Sequence, residues 1–325
     1  MTSRITIPDD FPKVISGTRA EEKLRALGEV QIHLDKAHTP EELIERIKNS
    51  EVVINIRAYT HLTREILRAC PKLRLISIWG TGTDNVDLRS SQELGITVTN
   101  TPGANALSVA EHTIAILLSL ARQIPRLDRE VHAGGWPRVK MAQLNGKVIG
   151  LLGLGAIGRY VARMAHGLGM EVIVWTRNPS PERAQENPIQ FVSKEELLKR
   201  SDVVSLHLAL TDETRGLFTK EDFDRMKLTA FFVNTARAAL IEPGALLEAL
   251  RSNKIAGAAL DAYDQEPLPP EDPLTTLPNV VMTPHNAGMT PEAIINGLMM
   301  AVENVDAFLA GKKINPVHLV VKGKR

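Results

Sequence analysis

Residues 147–164 read KVIGLLGLGAIGRYVARM, two apolar patterns joined by a glycine-rich turn. An apolar, strand-like VIGLL breaks into Gly153, Gly155 and Gly158 and resumes as IGRYVARMAHGLG at helical spacing; a second strand-like run, EVIVW (171–175), follows. A lone G-x-G-x-x-G is weak, because glycines gather in many turns. Strand, glycine turn, helix and strand in this order form the context in which a βα unit holds the pyrophosphate of a dinucleotide. The backbone N–H groups at the helix start, at Ala156 and Ile157, would face the anion together with the positive end of the helix dipole. About twenty positions on, NAD-binding units carry an acid for the ribose 2′-hydroxyl. Thr176, Arg177 and Asn178 stand there instead. Arginine can pair with a 2′-phosphate that an acid would repel, so the sequence favours NADP(H), with NAD(H) possible.

Working outward, the same alternation of apolar runs and helical patterns fills both ends of the chain. Before residue 100 come VQIHL, TPEELIERIK, VVINI, TREILRAC, LRLISI and ITVTN; after 147 come VIGLL, EVIVW, VVSLHL, AFFVN, IAGAAL and VVMTPH. In TPEE, Thr39 is expected to cap a helix, Pro40 to take its first position and Glu42 to close a capping box. Strands separated by helices imply parallel pairing, so the expectation is α/β, with two doubly wound parallel-sheet domains. A chain of 325 residues exceeds what one core fills, roughly 250 to 300 residues. A long helix over 107–122 separates the two regions, and a last amphipathic helix after 290 is expected to return to the first. The end, NPVHLVVKGKR, reads as a strand-like piece with a basic tail.

Composition narrows the function. With 43% hydrophobic residues, 24% charged and a net charge of +1, neither disorder nor a preference for nucleic acid or membrane is indicated. The single cysteine, Cys70, excludes an intrachain disulfide and a cysteine zinc cluster and reads as a small buried hydrophobe. The nine histidines show no paired metal-ligand spacing, so no metal is expected. MTSRITIPDDFPKV has no apolar leader and TIAILLSLA is too short to span a bilayer, which reads as a cytoplasmic protein.

Open α/β sheets bind ligands at the carboxyl ends of their strands. Arg237 in FFVNTARAALI, Glu266 in GAALDAYDQEP and His285 in VVMTPHNAG stand there. Singly, each has a bland reading: a surface cation, a loop acid, a hydrogen-bonded strand-end histidine. Together they suit hydride exchange between a nicotinamide and a 2-oxo or 2-hydroxy acid, because that reaction must move a proton as well as a hydride. His285 would be the acid and base. Glu266 on its other ring nitrogen would fix the tautomer and favour the protonated ring. Arg237 would grip the carboxylate and the carbonyl oxygen. In WGTGTDNVD (79–87), exposed N–H groups around Thr81 and Gly82 could receive the substrate carboxylate, or the stretch is a turn into the next helix.

With GTGTDNVD, NTPGANALSVAEHT, GLGAIGR, NTARAALIEPGAL, ALDAYDQEPL and LPNVVMTPHNAG in order, the chain resembles the D-isomer-specific 2-hydroxyacid dehydrogenases over nearly its full length. The resemblance implies a Rossmann cofactor domain, residues 103–289, inserted in a flavodoxin-like substrate domain, residues 1–102 plus 290–325. It also implies an active site in the cleft between them, hinge closure, and a homodimer in which the segment around VHAGGWPRVKMAQLNGK reaches the partner. Arg237, Glu266 and His285 match the family's triad. Asp261 matches the acid that binds the nicotinamide carboxamide. Thr81 and Gly82 match the carboxylate clamp, and Asn105 sits where some members line the substrate pocket. Further cofactor contacts are implied at His207, Thr235, Ala236 and Gly288. Two departures, TARAA around Arg237 in place of the usual arginine-glycine pair and Ala209 where proline is commoner, touch cofactor loops and remove no reacting group.

For the substrate, the resemblance leaves a glyoxylate or hydroxypyruvate reductase first and a phosphoglycerate dehydrogenase as the alternative. Glu266 rather than glutamine argues against a formate dehydrogenase. Ile78 stands where phosphoglycerate dehydrogenases often carry a phosphate-pairing arginine; Arg57 could serve a phosphate or be a solvated loop cation. No regulatory domain is expected after the last helix. A dinucleotide-sensing, corepressor-like binding protein is the rival from another class, since some relatives act that way with the same triad.

Overall fold

The structure is a computed structural model that describes residues 2–56, 59–179, 188–312, 314 and 317. Arg57 and most of the terminal NPVHLVVKGKR lie outside the described residues. The chain divides into two compact units, Met1–Asn105 with Thr290–Arg325, and Ala106–Met289.

The first unit runs β1 (Arg4–Ile7), α1 (Arg19–Leu27), β2 (Glu29–Ile32), α2 (Pro40–Ile47), β3 (Val52–Asn55), α3 (Arg64–Arg68), β4 (Leu75–Ile78), α4 (Leu88–Glu93) and β5 (Thr97–Thr99). Its five parallel strands lie in the order β2-β1-β3-β4-β5, the flavodoxin-like order. Alternate strand residues face opposite layers. Ile5, Ile7, Val52, Ile54 and Leu75 pack on one face with Leu24 of α1 and with Leu298, Ala301, Val302 and Val305 of the closing helix, Pro291–Leu309. Val53, Ile76 and Val98 pack on the other with Leu43 and Ile47 of α2 and Ile66 and Leu67 of α3. The closing helix is tied to this sheet through Ser77 Oγ, which donates to the Ala301 carbonyl at 3.1 Å. Val317 N–H donates to the Val98 carbonyl at 2.8 Å.

At α2 the cap differs from the expected box. Thr39 Oγ1 accepts from Glu42 N–H at 3.2 Å, and Pro40 opens the helix, but the Glu42 carboxylate accepts from His38 N–H at 2.8 Å. Arg46, which pairs with Glu42 and with Asp35, ties that carboxylate to the incoming chain. Cys70 is buried just beyond α3, and burial pushes its thiol up to about 11.

The second unit runs α5 (Ala106–Ala121), α6 (Ile124–His132), β6 (Val148–Leu152), α7 (Ala156–Gly167), β7 (Glu171–Trp175), β8 (Gln190–Phe191), α8 (Lys194–Arg200), β9 (Val203–Leu206), α9 (Lys220–Arg225), β10 (Phe231–Asn234), α10 (Ala245–Arg251), β11 (Gly257–Leu260) and β12 (Val280–Met282). Its seven strands are all parallel, in the order β12-β11-β10-β9-β6-β7-β8. Counted outward from β6 and β9, this is the doubly wound dinucleotide-binding order with an added strand. Ile149, Leu151, Val172, Val174, Val203 and Val233 face α5 and α7. Ile173, Val204, Leu206, Phe232 and Leu260 face α8, α9 and α10. Several apolar runs outlast their strands: VVSLHL is strand only to Leu206 and VVMTPH only to Met282. What leaves the ladder is the carboxyl-end loop carrying His207 or His285.

Candidate active site

The glycine turn joins β6 to α7 at the point where strand order reverses, with β7 on one side of β6 and β9 on the other. Gly153 has φ +107°, and a Cβ there would lie 2.5 Å from the His207 carbonyl oxygen; a Cβ on Gly158 would lie 2.5 Å from the Gly153 carbonyl oxygen. Neither position accepts a side chain. Gly155, the N-cap of the twelve-residue α7, has open space where its Cβ would be. Two glycines thus bring the chain close to itself and the middle one leaves the backbone open, the division of roles a pyrophosphate cradle requires. Ala156 and Ile157 supply the first helical amides.

Thr176, Arg177 and Asn178 follow β7. Arg177 pairs with the Glu213 carboxylate and also donates to the Glu213 carbonyl at 2.6 Å. His207 follows β9, its Nε2 2.9 Å from Ser205 Oγ. Desolvation pushes its imidazole down to about 4, so it is neutral at pH 7.

Arg237, Glu266 and His285 belong to the loops after β10, β11 and β12, three adjacent strands. Asn234 shapes the first loop: its Oδ1 accepts from Ala236 N–H at 2.9 Å and its Nδ2 donates to the Arg237 carbonyl at 2.9 Å. Arg237 is extended, and its guanidinium donates to the Ala236 carbonyl at 2.9 Å. His285 Nδ1 meets Glu266 Oε2 at 2.7 Å, and Glu266 Oε1 accepts from Tyr263 N–H at 3.0 Å. Burial alone would raise the Glu266 pKa; the His285 ring, the Tyr263 N–H and the charge of Arg237 outweigh it and hold the carboxyl below its ordinary range. An ionised Glu266 accepts on Nδ1 and leaves Nε2 as the working nitrogen of His285.

Asp261 is 1% exposed. Its Oδ1 accepts from Thr283 Oγ1 at 2.6 Å and Asn286 N–H at 3.0 Å, and its Oδ2 from Ala287 N–H at 2.9 Å. Burial opposes ionisation, but the His112 ring, 3.6 Å from Oδ1, together with the Thr283, Ala287 and Asn286 donors, holds its pKa below the ordinary value. One lone pair on Oδ2 is left over. Thr235 is buried against Thr113, and Gly288 follows the anchored Ala287.

In the first unit, Thr81 and Gly82 lie in the loop after β4. Asn100 Nδ2 donates to the Thr81 carbonyl at 2.8 Å, and Gly80 N–H donates to Thr101 Oγ1 at 2.8 Å. Among the described residues, none accepts from the N–H of Thr81 or Gly82. Asn105 is the last residue before α5. Ile78 ends β4, buried at 3%.

The sequence motifs left three participants without a role. Thr283, Tyr263 and His112 all hold the loop of His285; for the first two the signals were local, a threonine two positions before the histidine and a tyrosine three before the acid, whereas His112, in SVAEHT, lies 171 residues from its partner. Among the described residues no cluster of three His, Cys, Asp or Glu could hold a metal ion, and no helix is long and apolar enough to cross a membrane.

These features define a nicotinamide-dependent oxidoreductase site on a doubly wound sheet. The D-isomer specific 2-hydroxyacid dehydrogenase NAD binding domain matches residues 114–287. The chain is 40% identical over 293 residues to a glyoxylate reductase from Aeropyrum pernix, covering 86% of each protein. It is 38% identical over 293 residues to a D-3-phosphoglycerate dehydrogenase from Archaeoglobus fulgidus, covering 89% of this chain but 55% of that protein. A solved acyclic imino acid reductase, in complex with NADPH and D-Arg, is 29% identical with a TM-score of 0.87, covering 97% of this chain and 100% of the other. The chain belongs to the D-isomer-specific 2-hydroxyacid dehydrogenase family.

Proposed function

We propose that the chain reduces small unphosphorylated 2-oxo acids, glyoxylate or hydroxypyruvate, to 2-hydroxy acids with NADPH. The observation that carries this is the 2.7 Å bond between His285 Nδ1 and Glu266 Oε2, on the strand adjoining the one that presents Arg237. When bound, the nicotinamide supplies the hydride. His285 donates a proton from Nε2 to the developing alkoxide and takes it back in the reverse direction. Glu266 holds the ring by Nδ1. Arg237 binds the substrate oxygen on which negative charge grows, an interaction worth about 3 to 4 kcal/mol when such a donor is removed. Thr81 and Gly82 carry N–H groups suited to a substrate carboxylate, and Asn105 is assigned to substrate contact.

Gly153, Gly155, Ala156, Ile157 and Gly158 would hold the pyrophosphate, with His207, Thr235, Ala236 and Gly288 in further contact and the remaining Oδ2 lone pair of Asp261 available to the carboxamide. NADP(H) rather than NAD(H) is supported by Arg177, which would exchange Glu213 for a 2′-phosphate, and by the NADPH bound to the imino acid reductase relative. An unphosphorylated substrate is supported by buried, apolar Ile78. A cytoplasmic homodimer is part of the same reading: α6 buries none of its residues, and Ile124, Val131, Met141 and the 81% exposed Trp136 are large apolar side chains open to solvent within one stretch of chain, as a surface for a second copy would need.

The test is the near-ultraviolet absorbance of NADPH and NADH with glyoxylate, hydroxypyruvate, pyruvate and phosphohydroxypyruvate. Turnover of the unphosphorylated acids with NADPH is expected. Efficient turnover of the phosphorylated acid alone would make the protein a phosphoglycerate dehydrogenase, and tight cofactor binding without turnover would make it a dinucleotide sensor.

A further inference from the structure

Helix α5 packs on β10, β11 and β12, and two consecutive residues on it reach the loops that carry Arg237 and His285. His112 Nε2 lies 2.8 Å from Thr283 Oγ1, which itself donates to Asp261 Oδ1 at 2.6 Å. A hydroxyl has one proton to give, so Thr283 accepts from His112, whose ring carries a proton on Nε2. Next to it, the Thr113 hydroxyl donates to the Val109 carbonyl at 2.7 Å and lies 2.8 Å from Thr235 Oγ1. By the same count, Thr235 is the donor to Thr113. Thr283 stands two residues before His285, and Thr235 two before Arg237. The helix therefore grips both loops at equivalent places.

The His285 loop needs such a grip. His285 has φ +55°, in the left-handed region that a side-chain-bearing residue enters at a cost and keeps only when its surroundings dictate it. Asp261 takes Thr283 Oγ1 on one side of His285 and the N–H groups of Asn286 and Ala287 on the other. The Tyr263 hydroxyl donates to the Thr283 carbonyl at 2.9 Å. His112 is the member of this set that comes from a different element, so it fixes the loop relative to the sheet's helical layer.

We propose that His112 and Thr113 are positioning residues that tie the His285 and Arg237 loops to one helix and so fix the separation of the proton donor from the guanidinium. This rests on reading His285 and Arg237 as the reacting pair. His112 acts through Thr283 and, from 3.6 Å, on the Asp261 carboxylate that anchors the same loop, and Thr113 acts through Thr235. A glutamine amide reaches the position of the imidazole Nε2 and can donate to Thr283; an asparagine amide stops near Nδ1 and cannot. Misplacing a reacting group by about an ångström costs on the order of a hundredfold in rate.

The experiment compares H112A, H112N, H112Q, T113V and T113S. It records glyoxylate reduction by NADPH, NADPH affinity, thermal melting, and the ring-nitrogen NMR signals of His285 in the ligand-free protein. H112A and H112N are expected to lose kcat by tenfold to a hundredfold with NADPH affinity and melting largely kept, and to shift the His285 signals. H112Q is expected to retain most activity and the wild-type signals, and T113S to outperform T113V. Wild-type kcat and unshifted His285 signals in H112A would overturn the proposal, as would H112Q falling as far as H112N. If H112A does not fold, the glutamine and asparagine variants decide the matter. A wild type inactive on every 2-oxo acid would sink the functional reading instead, and the His285 signals would still judge the link from His112.

Discussion

Asp261 and Glu266 are carboxylates of one loop after β11, and both act on the segment around His285, yet their settings differ. Asp261 is 1% exposed and accepts from a hydroxyl and two backbone amides; the Glu266 side chain is 33% exposed and accepts from one backbone amide and an imidazole. Both are held ionised against burial. A buried carboxylate whose hydrogen bonds come from a hydroxyl and two backbone amides, with the His112 ring at 3.6 Å, shapes the backbone. One that meets a titratable ring at the edge of solvent can bias where a proton sits. Two acids close in sequence thus divide support from chemistry.

The division can be broken by truncating each. Asp261→Ala leaves three donors without their acceptor, of which Ala287 N–H is buried and can least turn to water, so a loss of about 3 kcal/mol in urea-denaturation stability is expected, at the lower end of about 1–3 kcal/mol for each. Glu266→Ala should cost less than about 1 kcal/mol and appear as a fall in kcat. Equal destabilisation by both would erase the contrast. For Arg237→Ala, about 3–4 kcal/mol of transition-state stabilisation should disappear from kcat/KM, while the melting temperature stays near that of the wild type.

A smaller effect comes from a histidine on the cofactor side. His207 has its pKa lowered from 6.5 to about 4, so the folded state binds its proton less readily than the unfolded state. The stability this neutral ring contributes is complete above pH 6.5 and is lost as pH falls toward 4, by about 2–3 kcal/mol. His207→Gln should flatten that part of the stability profile measured by denaturant titration. The smallest effect concerns Glu213: removing its charge frees Arg177, and Glu213→Gln should raise the preference for NADPH over NADH several-fold, since exposed pairs are worth up to about 1 kcal/mol. An unchanged preference would show that Arg177 does not meet the 2′-phosphate.

The layers of the fold were legible because the strands are short, β-branched and separated by capped helices, and the glycine turn fixed where the second sheet begins. β1, Arg4–Ile7, escaped notice although it lies between β2 and β3; four residues before Pro8 give too little periodicity to register. α6 was also missed, although its Ile124, Leu127 and Val131 recur at helical spacing; none of its residues is buried. For the site, strand-end position pointed to Arg237, Glu266 and His285, and the structure brings Glu266 and His285 into hydrogen-bond contact. Arg177 read in the sequence as able to pair with a 2′-phosphate, but its partner Glu213, 36 residues away, could not be read from local spacing. His112 stayed hidden for the same reason: its bond to Thr283 spans 171 residues and follows no local spacing. Spacing along the chain reveals what each strand end presents; it cannot reveal which helix holds that end in place.

The most direct measurement of the central claim is single-turnover reduction of glyoxylate by NADPH in the wild type and in His285→Ala, with NADPH affinity measured on both. The variant is expected to bind NADPH as the wild type does and to reduce glyoxylate about 10²–10⁴-fold more slowly. A wild-type rate in the variant, or a loss of NADPH binding that matches the loss of rate, would contradict it.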